Sequence, residues 1–203
     1  MNLSKLFELQ RQLDEHIERE HPVQEGEDRL AKKILALQVE LGELCNCWRG
    51  FKFWSHDQEP RIEKRTYETC PSCNGEYVDS CWVCGYSGQV VDKIINPLLE
   101  EYVDCLHFIL SIGLELEKLY GFEMIVDFIN KNHSNDTVNQ FNNVFSSVSS
   151  LYMSIDDEYY DNADRQGIYE ELFEGFLSLG EMLGFTWEQI EQMYMEKNRI
   201  NHE

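Results

Sequence analysis

Two pairs of acids stand at a spacing that could hold metal ions. Glu40-Leu-Gly-Glu43 and Glu101-Tyr-Val-Asp104 each separate two carboxylates by three residues, and residues three apart share one side of a helix. Glu40 and Glu43 adjoin an apolar stripe of Leu37, Leu41 and Leu44, and Glu101 and Asp104 interrupt a run that is otherwise apolar. Burying an unpartnered carboxylate costs on the order of several kcal/mol, so four of them converging require cations between them. Hard divalent ions take oxygen ligands, and Mg²⁺ suits sites that it shares with substrate phosphates. The competing reading is of solvated acids on amphipathic helices. Glu-x-x-Glu arises easily in an acidic chain, and the second pair is what strengthens the metal reading.

A second constellation is built from cysteine. Cys70-Pro-Ser-Cys73 and Cys81-Trp-Val-Cys84 form two CxxC turns, with Gly75 and Gly85 just after them. Two such turns can complete a tetrahedral Zn²⁺ site, and four protein ligands make that site structural. Redox-active thiols or two disulfides are the alternatives. Cys45, Cys47 and Cys105 read as small core residues or free thiols.

The elements that position these groups are mostly helical. Helices are predicted from about Leu3 to Glu20, from near Glu27 to Gly50, and from Pro97 to about Tyr120, with Asn96 as N-cap and Pro97 at the first position. The third is apolar nearly all round, which places it at the centre of a bundle. Residues 131–136 read as a loop and Thr137 to Met153 as a helix. An acidic turn follows from Ile155 to Asp164, then a helix to about Leu183. Thr186-Trp-Glu-Gln189 reads as a capping box opening the last helix, with Phe185 and Ile190 as its staple. Residues 51–96 show no helical stripe. The expected fold is all-α, a helical bundle with a small zinc-ribbon-like insert: one domain over 1–203, interrupted by a cysteine-rich element at 60–93.

The 203 residues carry 38 acids against 17 bases, a formal charge of −21. Such a surface repels nucleic acid and anionic lipid, so neither is an expected partner. Residues 1–20 contain no apolar run of signal-peptide type, and the most apolar stretch, 103–116, is too short for a bilayer. The chain therefore reads as soluble and cytoplasmic.

An ExxE helix followed by an ExxD helix resembles the all-α nucleoside triphosphate pyrophosphatases, the MazG-like superfamily, and within it the dimeric dUTPases. The matching segments are Leu9-Gln10 with Leu13-Asp14, Gly-Phe-Lys-Phe-Trp-Ser at 50–55, Glu-Tyr-Val-Asp-Cys-Leu-His-Phe at 101–108, and Lys197-Asn198-Arg-Ile-Asn201. Position 14 departs from the pattern, since the family usually has Asn there. The resemblance implies a homodimer that cleaves dUTP to dUMP and pyrophosphate with Mg²⁺ held by Glu40, Glu43, Glu101 and Asp104. Glu40 is the favoured base for the attacking water, and Lys197, with Arg199 beside it, would add positive charge at the phosphates. His107 and Phe108 would contact uracil or deoxyribose, although a lone histidine on an apolar helix otherwise reads as core. Trp54 has a stacking role open to it, Asn198 and Asn201 can hydrogen-bond base or sugar, and Gln10 is a candidate for telling uracil from cytosine. Another (d)NTP as substrate, or a non-enzymatic zinc-dependent interaction protein, are the alternatives. A protein partner at the insert is compatible with any of these.

Overall fold

The computed structural model describes residues 3–76, 81–122 and 134–201. Six helices and one hairpin make up the described chain: α1 Leu3–Glu20, α2 Arg29–Trp48, β1 Lys64–Thr69, β2 Gln89–Ile95, α3 Pro97–Tyr120, α4 Thr137–Ile155, α5 Asn162–Met182 and α6 Trp187–Asn201. Of the predicted 131–136 loop, residues 131–133 lie outside the described residues.

The helix starts are set by side chains that satisfy otherwise orphaned backbone donors. Asp28 accepts from the Ala31 amide at 2.8 Å, Asn96 from Leu99 at 3.2 Å and Asp136 from Asn139 at 3.1 Å. Thr186 and Gln189 exchange the reciprocal bonds of a capping box. The acidic stretch expected to be a turn up to Asp164 does more than turn. Asp161 caps α5 and Asp164 answers it, so the helix begins inside that stretch. Two carboxylates there favour the positive end of the helix.

α3 is the axis of the bundle and packs on α1, α2, α5 and α6. Fourteen of its residues are buried, which is why its apolar residues run around it without a stripe. Tyr102 lies fully buried, stacked on Phe176 with ring centroids 4.3 Å apart. Its hydroxyl donates to the Phe176 carbonyl at 3.2 Å. A Cβ on Gly180 would sit 2.4 Å from that hydroxyl, so the close approach of α5 to α3 requires glycine there.

The hairpin stands outside this core. β1 and β2 pair antiparallel with an irregularity at Thr66/Tyr67, and both strands are largely exposed. Its base is sewn to the bundle: Arg61 donates its amide to the Cys47 carbonyl at 2.8 Å and accepts from the Leu98 amide at 2.9 Å. One residue thus links the end of α2 to the start of α3. Lys93 on β2 also forms an ion pair with Glu196 on α6.

Candidate functional site

Three of the four predicted acids meet. Glu40 from α2 and Glu101 and Asp104 from α3 bring carboxylate oxygens within 4.8 Å of one another. Glu43 is exposed and stands outside that group, yet it is near enough for its charge to raise the carboxyls of both Glu40 and Glu101. Burial, then Asp104, then Glu43 push Glu101 up to about 7. Glu40 is raised by the same three causes in the same order. Lys197 on α6 forms an ion pair with Asp104 and partly offsets this crowding. An all-oxygen, half-buried set of crowded carboxylates fits a hard divalent cation.

A cleft of about 740 Å³ opens from Glu40 and Asp104 past His107, Phe108 and Ser111 toward Glu115, with Gln10, Asp14 and Lys33 on its other wall. That volume suits a small organic ligand. Asn201 also lines it, while Lys197 and Asn198 lie on α6 outside its walls. Trp54 does not reach it. That ring is exposed on the turn after α2, edge-on to Phe51 and Phe53.

The cleft wall holds a chain of hydrogen bonds. Gln10 is only 3% exposed. Its Nε2 donates to Asp14 Oδ1 at 2.7 Å, and its Oε1 receives the Tyr194 hydroxyl at 2.7 Å and faces His107 Nδ1 at 2.8 Å. The His107 ring lies stacked on Tyr194, centroids 4.0 Å apart. Burial, helped by Lys197, lowers the His107 imidazolium to about 3, so the ring is neutral at physiological pH. Among the described residues four buried side-chain polar atoms lack a hydrogen-bond partner: His107 Nε2, whose residue lines the cleft, and Ser178 Oγ, Trp187 Nε1 and Asn198 Nδ2, whose residues do not. An unpartnered buried polar atom costs about 1–3 kcal/mol, and of the four only His107 Nε2 belongs to a residue of the cleft wall, where a ligand could complete it.

Lys33, Ser111, Tyr194 and Glu115 escaped the sequence reading. Ser111 and Glu115 were within reach, because Asp104, His107, Ser111 and Glu115 recur at helical spacing along α3. They form one polar stripe on an apolar helix. Tyr194 and Lys33 carry no such signal.

The cysteines of the insert form the second cluster. The four Sγ atoms lie within 4.8 Å of one another, with Cys70–Cys81 and Cys73–Cys84 each at 3.8 Å. A tetrahedral ion with bonds of about 2.3 Å to sulfur has edges of about 3.8 Å. Asn74, Gly75, Gly85 and Tyr86 adopt positive φ, which turns the chain sharply after each CxxC. Backbone N–H groups, that of Cys84 foremost, hold the Cys81 thiol down at about 6. Cys105 is fully buried in the bundle, and Cys45 and Cys47 pack against the core.

The bundle sets its carboxylate group at the mouth of the adjoining cleft, an arrangement that could hold a cation beside a small organic ligand. The family model described as dUTPase matches residues 2–82 and 74–203, so its two matched segments meet within the cysteine-rich insert. This chain belongs to that all-α dUTPase family. None of the curated proteins matches it. Among the described residues no helix is long and apolar enough to cross a membrane.

Proposed function

We propose that the protein hydrolyses dUTP to dUMP and pyrophosphate in a Mg²⁺-dependent reaction, and the convergence of Glu40, Glu101 and Asp104 beside the cleft carries that reading. These three acids, with Glu43 alongside, would hold the ions. When bound, Mg²⁺ supplies charge neutralisation on the triphosphate and lowers the pKa of bound water. Glu40, its carboxyl raised and close to the other acids, is the favoured acceptor for the proton of the attacking water. Lys197, already paired with Asp104, adds positive charge where phosphate oxygens would lie. The nucleoside would extend along α3, with Phe108 flanking the ring and His107 Nε2 receiving the uracil N3–H. Release of pyrophosphate from dUTP, dCTP, dTTP and dATP with Mg²⁺ tests this directly. Turnover of dUTP at least about tenfold above the others is expected, and turnover confined to another nucleotide would reassign the substrate.

The second metal in this reading is a structural Zn²⁺ on Cys70, Cys73, Cys81 and Cys84. The tetrahedral sulfur spacing supports it, as does a hairpin too exposed to hold together on apolar contacts alone.

A pH effect follows from the acid group. The Glu101 carboxyl is raised, so the metal-free fold keeps a proton that the unfolded chain releases between the ordinary carboxylate range and about pH 7. Through that window the stability of the metal-free protein falls as pH rises. A cation on the acids relieves the repulsion, so Mg²⁺ should raise Tm more at pH 8 than at pH 6. An equal rise at both would mean that these carboxylates do not take the ion.

A further inference from the structure

We propose that Asp14, held beside Lys33, is a positioning residue that fixes the hydrogen-bond polarity of His107, and through it the choice of uracil over cytosine. The inference rests on the dUTP reading for its substrate and on the cleft wall for its logic. An ionised carboxylate has acceptors only. Asp14 uses both oxygens: Oδ2 accepts from Ser111 Oγ at 2.6 Å and pairs with Lys33 Nζ at 3.3 Å, and Oδ1 accepts from Gln10 Nε2 at 2.7 Å. Lys33 also reaches Glu115 at 3.0 Å, so one ammonium lies between two carboxylates.

The rest of the chain follows from that anion. Turning Gln10 around would press its carbonyl oxygen against a carboxylate oxygen at 2.7 Å, so its nitrogen must face Asp14. Its oxygen therefore faces His107 and Tyr194, and His107 must carry its proton on Nδ1 to donate across 2.8 Å. The remaining nitrogen, the unpartnered Nε2, is then a bare lone pair. This is a fixed tautomer set by a carboxylate two hydrogen bonds away. Uracil offers N–H at N3 and meets that lone pair. Cytosine offers a second lone pair at N3, and could satisfy His107 only by sliding its amino group there. That slide would carry the sugar and phosphates out of line with the acids.

Lys33 makes the device testable. In Asp14→Asn, the ammonium draws the new amide's oxygen to itself, which turns the amide nitrogen toward Gln10. Gln10 must then reverse, donate to His107 Nδ1, and leave the His107 proton on Nε2. The His107 tautomer is read by two-bond ¹H–¹⁵N correlation spectroscopy without substrate, and kcat/KM is measured for dUTP and dCTP. The wild type is expected to be protonated at Nδ1 and Asp14→Asn at Nε2, with the dUTP-to-dCTP ratio falling by about tenfold or more. Adding Lys33→Met to Asp14→Asn releases the amide to turn back, and should restore both the tautomer and much of the ratio. A merely structural role for Asp14 would produce no such rescue. A wild-type His107 protonated at Nε2 overturns the proposal, even if Asp14→Asn fails to fold. So does a tautomer and ratio unchanged in a folded Asp14→Asn. Absence of dUTP turnover in the wild type would sink the functional reading alone, since the tautomer and its response to Asp14→Asn are measured independently.

Discussion

Asp104→Asn or Glu40→Gln is expected to lower dUTP turnover by about 10²–10³-fold, because one interaction that stabilises transition-state charge supplies about 3–4 kcal/mol. Both replacements are nearly isosteric and leave the fold's packing alone. The metal-free proteins should melt no lower than the wild type. Glu40 and Glu101 are raised by Asp104 after burial itself, so losing that charge relieves repulsion and offsets the lost ion pair with Lys197. Reduced activity with an unchanged or higher metal-free Tm is the signature of acids kept for chemistry. Full activity in either variant, or in excess chelator, would remove the metal-carboxylate mechanism. A matching loss of Tm would instead assign the acids to the structure.

Metal analysis of the purified protein should find about one zinc per chain, and Cys70→Ser should lose it. Cys70 is fully buried, so its hydroxyl replacement has no water to turn to. Removing the ion should expose the amides of β1 and β2 to hydrogen exchange while helical circular dichroism persists, because no core residue of the bundle comes from the hairpin strands. If no zinc is found and thiol titration under non-reducing conditions finds four thiols missing, the cysteines are disulfides.

The parts of the molecule that were readable from sequence are those with local signals. Asn96-Pro97 announces the start of α3, and the two CxxC turns announce their own cluster. Glu101 and Asp104 stand out because they interrupt an apolar run. What remained hidden depends on which helices become neighbours. Lys33 meets Glu115 across 82 positions of sequence, and Tyr194 meets Gln10 across 184. Neither pairing leaves a trace in spacing or composition. Asp14 was visible only as a departure from a pattern, and its meaning required Lys33 beside it. Glu43 shows the opposite limit. Spacing puts it on the same side of α2 as Glu40, but not at the same depth.

The Arg61 link between Cys47 and Leu98 bears on how such a chain could change over time. Because that residue closes α2 onto α3 beneath the hairpin, everything from β1 to β2 is a graft on an already finished scaffold. The Lys93–Glu196 pair is the one ion pair reaching from the strands to a helix among the described residues, and an exposed pair of this kind contributes at most about 1 kcal/mol. A lineage could therefore lengthen, trade or shed the cysteine knuckle without moving a carboxylate of the cleft.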